Sequence, residues 1–212
     1  VPFAAFGGAL VAVIIVFLLA WENGINPLRL ILAGVAVAAF FGGGTTALSV
    51  FFFVFFQGTV AWLAGGFSGS SWQHVYMIIP YSIVGILASL CSCRKLNALQ
   101  LGDEVAASLG VNVQRSRGLL VALAALLAAS AVSVAGLLGF VGLIVPHIMR
   151  LLVGSDFEYL LPVSALFGAI LVVGADTAAR TIFSPVEVPV GIFLSFLGAP
   201  FFLYLLKRRM KH

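Results

Sequence analysis

The sequence is poor in charge. Only 8% of its 212 residues are Asp, Glu, Lys or Arg, about a third of what a soluble globular domain carries, which excludes that class. Cysteine is nearly missing: Cys91 and Cys93 are the only two. With no third or fourth ligand beside them, the C-x-C reads as two small packing residues at a helix end rather than a metal or redox centre. G-x-x-x-x-G-K-[ST] appears nowhere, so the chain cannot bind ATP through a P-loop, and without H-E-x-x-H the zinc-protease reading goes as well. The middle of each apolar run also lacks Asp, Glu, Lys and Arg, with Asp176 lying toward the end of its run. A proton- or sodium-coupled transporter usually needs such a group at mid-membrane.

What is present is apolar sequence. Hydrophobic residues make up 62% of the chain, and the mean hydropathy is +1.20. The runs are continuous rather than alternating, which excludes a β-barrel. The fold class expected is all-α, a polytopic transmembrane helical bundle. The net charge of +4 is a topology signal, because the basic residues flank apolar runs; it does not imply a nucleic-acid partner. No cleavable signal peptide is visible, and the chain opens directly in an apolar run.

The apolar runs predict spans at about Phe3–Ala20, Leu30–Phe56, Val75–Cys93, Gly118–Ala135, Tyr159–Phe183 and Val190–Leu206. Between the fourth and the next, Gly136–Arg150 is apolar but short and broken by glycines and Pro146. It reads as a discontinuous helix, tolerable only when packed inside the protein. The total is about seven passes. Polar turns fall at Trp21–Pro27 and Ser184–Pro189, and Gln57–His74 holds Trp62 and Trp72 around a Gly/Ser turn, as an interfacial segment would.

Several patterns stand out. Gly42, Gly43, Gly44, Thr45, Thr46 and Ser49 interrupt the second run. They fit close helix packing, or a pliable helix lining a path. Gly66-Phe67-Ser68-Gly69 matches the string of intramembrane serine proteases, but no His on a later outer-side helix could serve as base. His147 and Arg150 lie one turn apart after Pro146. A structural role for them, satisfying freed carbonyls or pairing with Asp156, is favoured over chemistry. Asp176 and Arg180 are spaced i,i+4, so they can meet on one helical face.

The polar stretch Leu96–Gly118, LNALQLGDEVAASLGVNVQRSRG, organises the rest. It is too polar to span and too helix-compatible to be a passive loop. Asp103 and Glu104 suit a first helical turn, Val105–Leu109 continues as helix, and Gly110 is a natural stop. Small residues (Ala106, Ala107, Ser108) would let another surface approach, although an ordinary interhelical loop is the competing reading. Arg115 and Arg117 mark the re-entry into lipid.

Glu104-x-Ala106-x-x-x-Gly110 resembles the E-A-A-x-x-x-G coupling signature of ABC importer permeases, with Val105 replacing the first Ala. Together with GLLGFVGLIVPHIMRLLVGSD and the tail PVGIFLSFLGAPFFLYLLKRR, the sequence is similar over essentially its whole length to the FecCD-type family. These are the permeases of iron-siderophore, haem and vitamin B12 importers. The resemblance implies a single permease domain over 1–212 that lacks the roughly three N-terminal helices of the family, with 96–117 as cytoplasmic coupling segment. It assigns ATPase coupling to Leu101, Asp103, Glu104, Ala106, Ala107, Leu109, Gly110 and Val111, and a substrate pathway to Gly42–Thr46 and Ser49. Arg180 falls where the vitamin B12 permease carries an arginine that docks glutamates of its soluble binding protein. Glu187 belongs to the family's E-x-P-x-G pattern and reads as structural.

The implied partners are a second permease copy, two cytoplasmic ATP-binding cassette subunits, an extracytoplasmic substrate-binding protein and membrane lipid. The chain would bind no cofactor itself; ATP and Mg would sit on the partner ATPase, so it would not be an enzyme. Alternating access driven by ATP would carry an iron chelate, haem or corrinoid. The rival reading is a secondary transporter or channel. The basic tail places the C-terminus in the cytoplasm of a prokaryotic cell (inner or plasma) membrane. On that map Arg180 is the only one of the 11 Lys and Arg residues outside.

Overall fold

A computed structural model describes residues 2–21, 26–52, 59, 62–182 and 187–209. Residues 1, 22–25, 53–58, 60, 61, 183–186 and 210–212 lie outside them, and with them parts of the expected second span and of the expected turns. The described residues form nine helices: α1 (Pro2–Ala20), α2 (Pro27–Phe51), α3 (Trp72–Cys91), α4 (Cys93–Gln100), α5 (Asp103–Ser108), α6 (Val113–Ala135), α7 (Val141–Val153), α8 (Phe157–Ile182) and α9 (Val190–Arg209). Five of them, α1, α2, α3, α6 and α8, are long and apolar enough to cross a membrane. Val141–Val153 and Val190–Phe201 are shorter apolar helices among the described residues. The all-α, polytopic architecture expected from the sequence is what is found.

The chain divides into two compact units, one of 1–60 and 72–134, the other of 61–71 and 135–212. In the first, α1 packs against α2. α2 starts cleanly because Asn26 Oδ1 accepts the Leu28 amide at 3.0 Å and Pro27 occupies the first turn. The Phe6 and Tyr81 rings lie 5.2 Å apart. α3 approaches α6 closely at Gly85, where a methyl group would sit 2.6 Å from Leu127 Cδ2. α6 buries Ser116, Ala125, Ala129, Ser130 and Ser133. The Ser130 and Ser133 hydroxyls donate to the Leu127 and Ser130 carbonyls at 2.8 and 2.7 Å, so neither hydroxyl is left unsatisfied.

Two boundaries depart from expectation. α3 stops at Cys91, Ser92 adopts φ −97° and ψ 3°, and Arg94 and Lys95 open a second helix, α4, instead of marking a simple exit. α6 begins at Val113 rather than Gly118, so Arg115 and Arg117 are helical. Its entry is capped by Asn112, whose Oδ1 accepts the Arg115 amide at 3.0 Å.

In the second unit, Val145 and Met149 of α7 and Leu160 of α8 form a buried cluster with Val163, Phe167 and Leu171 around it. A second cluster joins Ala175 of α8 to Val190 and Leu194 of α9, with Phe67 and Leu138 against it. Three irregular segments meet beside it, joined by backbone hydrogen bonds. The Gly66 amide donates to the Ala135 carbonyl at 2.8 Å, and the Gly191 amide to the Gly65 carbonyl at 3.0 Å. A side chain on Gly65 would strike the Leu137 carbonyl, one on Gly136 the Trp62 carbonyl, and one on Gly191 the Ala64 carbonyl. Non-helical backbone is tolerable in an apolar setting when its polar groups are satisfied this way. Across the same segments, Ser68 Oγ donates to Glu187 Oε2 at 3.1 Å. The Ser68 hydroxyl thus serves a loop-to-loop link, in keeping with the structural reading of Glu187.

Candidate functional site: a folded polar segment with an exposed apolar ridge

The polar stretch is folded throughout. α4 ends at Gln100, and Leu101 and Gly102 make the turn, with Gly102 at φ 100°. α5 then carries Asp103 and Glu104 in its first turn, where the helix dipole favours them. Its C-terminus is closed by Gly110 at φ 81°. The Gly110 amide donates to the Ala107 carbonyl and the Val111 amide to the Ala106 carbonyl, both at 3.0 Å. This is a Schellman closure, which requires a left-handed residue at Gly110.

The two sides of α5 differ. Ala106 is fully buried, with 0% exposure. Leu101, Val105 and Leu109, at i, i+4 and i+8, are instead 63%, 43% and 62% exposed. Ala107 and Ser108 are exposed with them, and Val111 is half-buried. The segment, too polar to enter lipid, thus leaves three apolar side chains exposed in and beside a short helix. Glu104 is exposed with them and makes no side-chain bond among the described residues. Asp103, by contrast, is held by Arg117, whose Nη2 lies 2.7 Å from its Oδ1.

The other expected residues fall on separate surfaces. Gly42, Gly43, Gly44 and Thr46 lie exposed on α2, with Thr45 and Ser49 half-buried. A methyl group on any of the three glycines would meet nothing within 4 Å, so no helix among the described residues packs closely against them. The hydroxyls of Thr45, Thr46 and Ser49 donate to the carbonyls of Phe41, Gly42 and Thr46 at 2.8, 3.0 and 2.7 Å. Such back-bonding bends a helix and hides its donors.

On α8, Arg180 Nε donates to Asp176 Oδ2 at 2.8 Å, as the spacing suggested. Pro146 lies inside α7, with His147 half-buried and Arg150 exposed in the last turn. Asp156 is not drawn to that pair: its Oδ1 accepts the Glu158 amide at 2.9 Å, at the start of α8. Among the described residues no group of three or more His, Cys, Asp or Glu could hold a metal. Cys93 is buried, its Sγ donating to the Ser89 carbonyl at 3.8 Å, and Cys91 is exposed; neither is in a disulfide.

Sequence reasoning missed α4 and the Asp103–Arg117 pair. CRKLNALQ consists largely of good helix formers, a usable signal for α4. A pairing across 14 residues has no periodicity to betray it.

The described residues thus give a multi-pass helical membrane architecture with a folded polar segment between spans, to which comparison with known proteins adds a family. The model of the FecCD transport family matches residues 1–208. The chain is 42% identical to the iron(3+)-hydroxamate import system permease protein FhuG of Bacillus subtilis, over 98% of this chain and 62% of that protein. It is 47% identical to the cobalamin import system permease protein BtuC of Halobacterium salinarum, over 97% of this chain and 56% of that one. A solved structure described as an inward-facing conformation of a metal-chelate type ABC transporter superposes with TM-score 0.83 at 29% identity, covering 98% of this chain and 73% of the other. The chain belongs to the FecCD transport family, and it spans 62% and 56% of the length of these two curated relatives.

Proposed function

We propose that this chain forms part of the transmembrane permease subunit of a binding-protein-dependent ABC importer for an iron chelate, haem or corrinoid. The observation that carries the reading is a folded polar segment between the membrane spans that leaves Leu101, Val105 and Leu109 exposed, together with Glu104, in and beside a short helix. Leu101, Asp103, Glu104, Ala106, Ala107, Leu109, Gly110 and Val111 build a cytoplasmic coupling segment within 96–117, on which an ATP-binding cassette subunit sits. That partner holds ATP and Mg, and the permease transmits the motion of its hydrolysis cycle. Two permease copies enclose the path, lined in part by Gly42, Gly43, Gly44, Thr45, Thr46 and Ser49. An extracytoplasmic binding protein docks on Arg180 and delivers cargo. Pro146, His147 and Arg150 shape the short helix α7. The basic tail supports a cytoplasmic C-terminus in a prokaryotic plasma membrane.

The test is purification of the full-length permease with its genomic neighbours in mild detergent. An ATPase should co-elute one-to-one and be lost when 101–110 is replaced by a Gly/Ser linker. A permease that elutes alone yet transports in liposomes under an ion gradient would overturn the reading in favour of a secondary transporter.

A further inference from the structure

Helix α5 is only six residues long, too short to hold its shape or direction alone. Each end is joined to the rest by a glycine in a left-handed backbone, Gly102 at φ 100° and Gly110 at φ 81°. At neither glycine would a methyl group meet anything within 4 Å. The chain therefore enters and leaves α5 through two uncrowded joints, and only Ala106 of its six residues is buried. A segment on such joints would swing when pushed, and a push on Leu101, Val105 and Leu109 would be absorbed there.

Packing of α5 against α4, which buries Ala106, steadies one side of the segment, and a charged side-chain link ties it to α6. Arg117 stands in the second turn of α6, where its side chain could run out to solvent. Instead its guanidinium reaches Asp103, at the opposite end of α5, and donates from Nη2 to Oδ1 at 2.7 Å. The Arg117 side chain is 22% exposed and that of Asp103 53%. The bond triangulates the segment. The Schellman closure fixes the C-terminal end of α5 to the corner, and the ion pair fixes its N-terminal end to α6. The short distance and the charge on both partners make it the stronger kind of hydrogen bond.

We propose that Arg117 is a positioning residue for energy coupling, a strut that locks α5 to α6 so that a displacement at the ridge moves α6 rather than bending the glycine joints. The proposal rests on the coupling reading given above. It assigns Asp103 and Glu104 different tasks, Asp103 facing inward to the strut and Glu104 outward to the partner.

The experiment uses the full-length permease in nanodiscs, alone and with its ATPase. Cys91 and Cys93 are replaced by Ser, and nitroxide labels are placed at Ser108→Cys on α5 and Ala128→Cys on α6. The wild-type interlabel distance distribution should be narrow. Arg117→Gln should broaden or split it while leaving the thermal midpoint and ATPase co-elution unchanged. The double reversal Asp103→Arg with Arg117→Asp should narrow it again in part. In liposomes, uptake per ATP hydrolysed in Arg117→Gln should fall about two- to fivefold, the range open to a partly exposed ion pair, with hydrolysis retained. An unaltered distribution in Arg117→Gln overturns the strut. Failure of the wild-type permease to retain any ATPase overturns the coupling reading instead, while the distributions from the permease alone still judge the strut.

Discussion

Arg180 and Asp176 meet one helical turn apart on α8, with Nε 2.8 Å from Oδ2 and the arginine side chain 38% exposed against 22% for the aspartate. The carboxylate holds one edge of the guanidinium, and its two Nη groups have no bonded partner among the described residues. An arginine pre-oriented in this way is suited to receive a second carboxylate from another protein. Arg180→Glu should therefore weaken binding of the substrate-binding protein about tenfold at low ionic strength, with the difference shrinking toward high salt. Surface plasmon resonance at two salt concentrations gives the answer. Because the pair itself contributes only about 0.3–0.5 kcal/mol as an i,i+4 contact, Asp176→Asn should leave both stability and docking nearly intact. Equal affinity for wild type and Arg180→Glu would return Arg180 to an ordinary helix-surface pair.

The meeting of Gly65, Gly136 and Gly191 makes a prediction of the opposite kind, about stability. In each case an added methyl group would press on a carbonyl of another segment, not on a flexible side chain. Gly65 and Gly136 also sit at φ 73° and 67°, where a Cβ is strained whatever the space. Gly136→Ala and Gly191→Ala should each lower stability by about 2–4 kcal/mol, since backbone must move to admit them. Gly85→Ala should cost less, about 1–2 kcal/mol, because its obstacle is the turning end of Leu127. Thermal unfolding in detergent, followed by tryptophan fluorescence, ranks the three. A Gly191→Ala protein as stable as Gly85→Ala would show that the close approach is dispensable.

Much of this fold could be read from runs of apolar sequence, because a membrane leaves few alternatives to the helix. The short helix α5 is legible too, since Asp103 and Glu104 mark a helix start and Gly110 a stop. The pairings that join distant segments were not. Ser68 and Glu187 are separated by 119 positions, and no periodic pattern reaches across that span. Three glycines at positions 65, 136 and 191 look interchangeable in sequence with those at 42, 43 and 44, yet one set is crowded by backbone and the other faces open space. Arg117 was read as a marker of membrane entry because basic residues flank spans; its bond to Asp103 depends on α6 starting earlier than the apolar run.

That contrast among glycines separates the two readings of α2. Since a methyl group at Gly42, Gly43 or Gly44 would meet nothing within 4 Å among the described residues, alanine at all three should be tolerated by the fold and should stiffen the helix, by about 0.5–1 kcal/mol per site. If the segment bends to pass cargo, or lies against a second copy at the path, the triple variant should assemble normally and transport several-fold more slowly. Uptake measured beside the thermal midpoint separates the possibilities. Undiminished transport in a stabilised variant would remove Gly42–Gly44 from the pathway.

The ridge on α5 gives a direct test of partner docking. Leu101, Val105 and Leu109 are already largely in water, so replacing them with Ser takes nothing from the fold and should leave the melting temperature within about 1–2 °C of wild type. Covering a leucine fully in a complex is worth about 1.5–3 kcal/mol. Leu101→Ser or Leu109→Ser should therefore lower the affinity for the ATPase roughly ten- to hundredfold, and the double variant should abolish co-elution. Glu104 makes no bond within the described residues, so Glu104→Arg should act at the contact alone, leaving helical content unchanged while ATP hydrolysis no longer drives uptake. These two classes of variant differ in a way that general damage would not reproduce, since the serine series fails at assembly and the Glu104 variant at coupling after assembly. Wild-type transport in Glu104→Arg, or wild-type ATPase affinity in the leucine variants, would mean that α5 is a loop that happens to be helical and that the energy enters elsewhere.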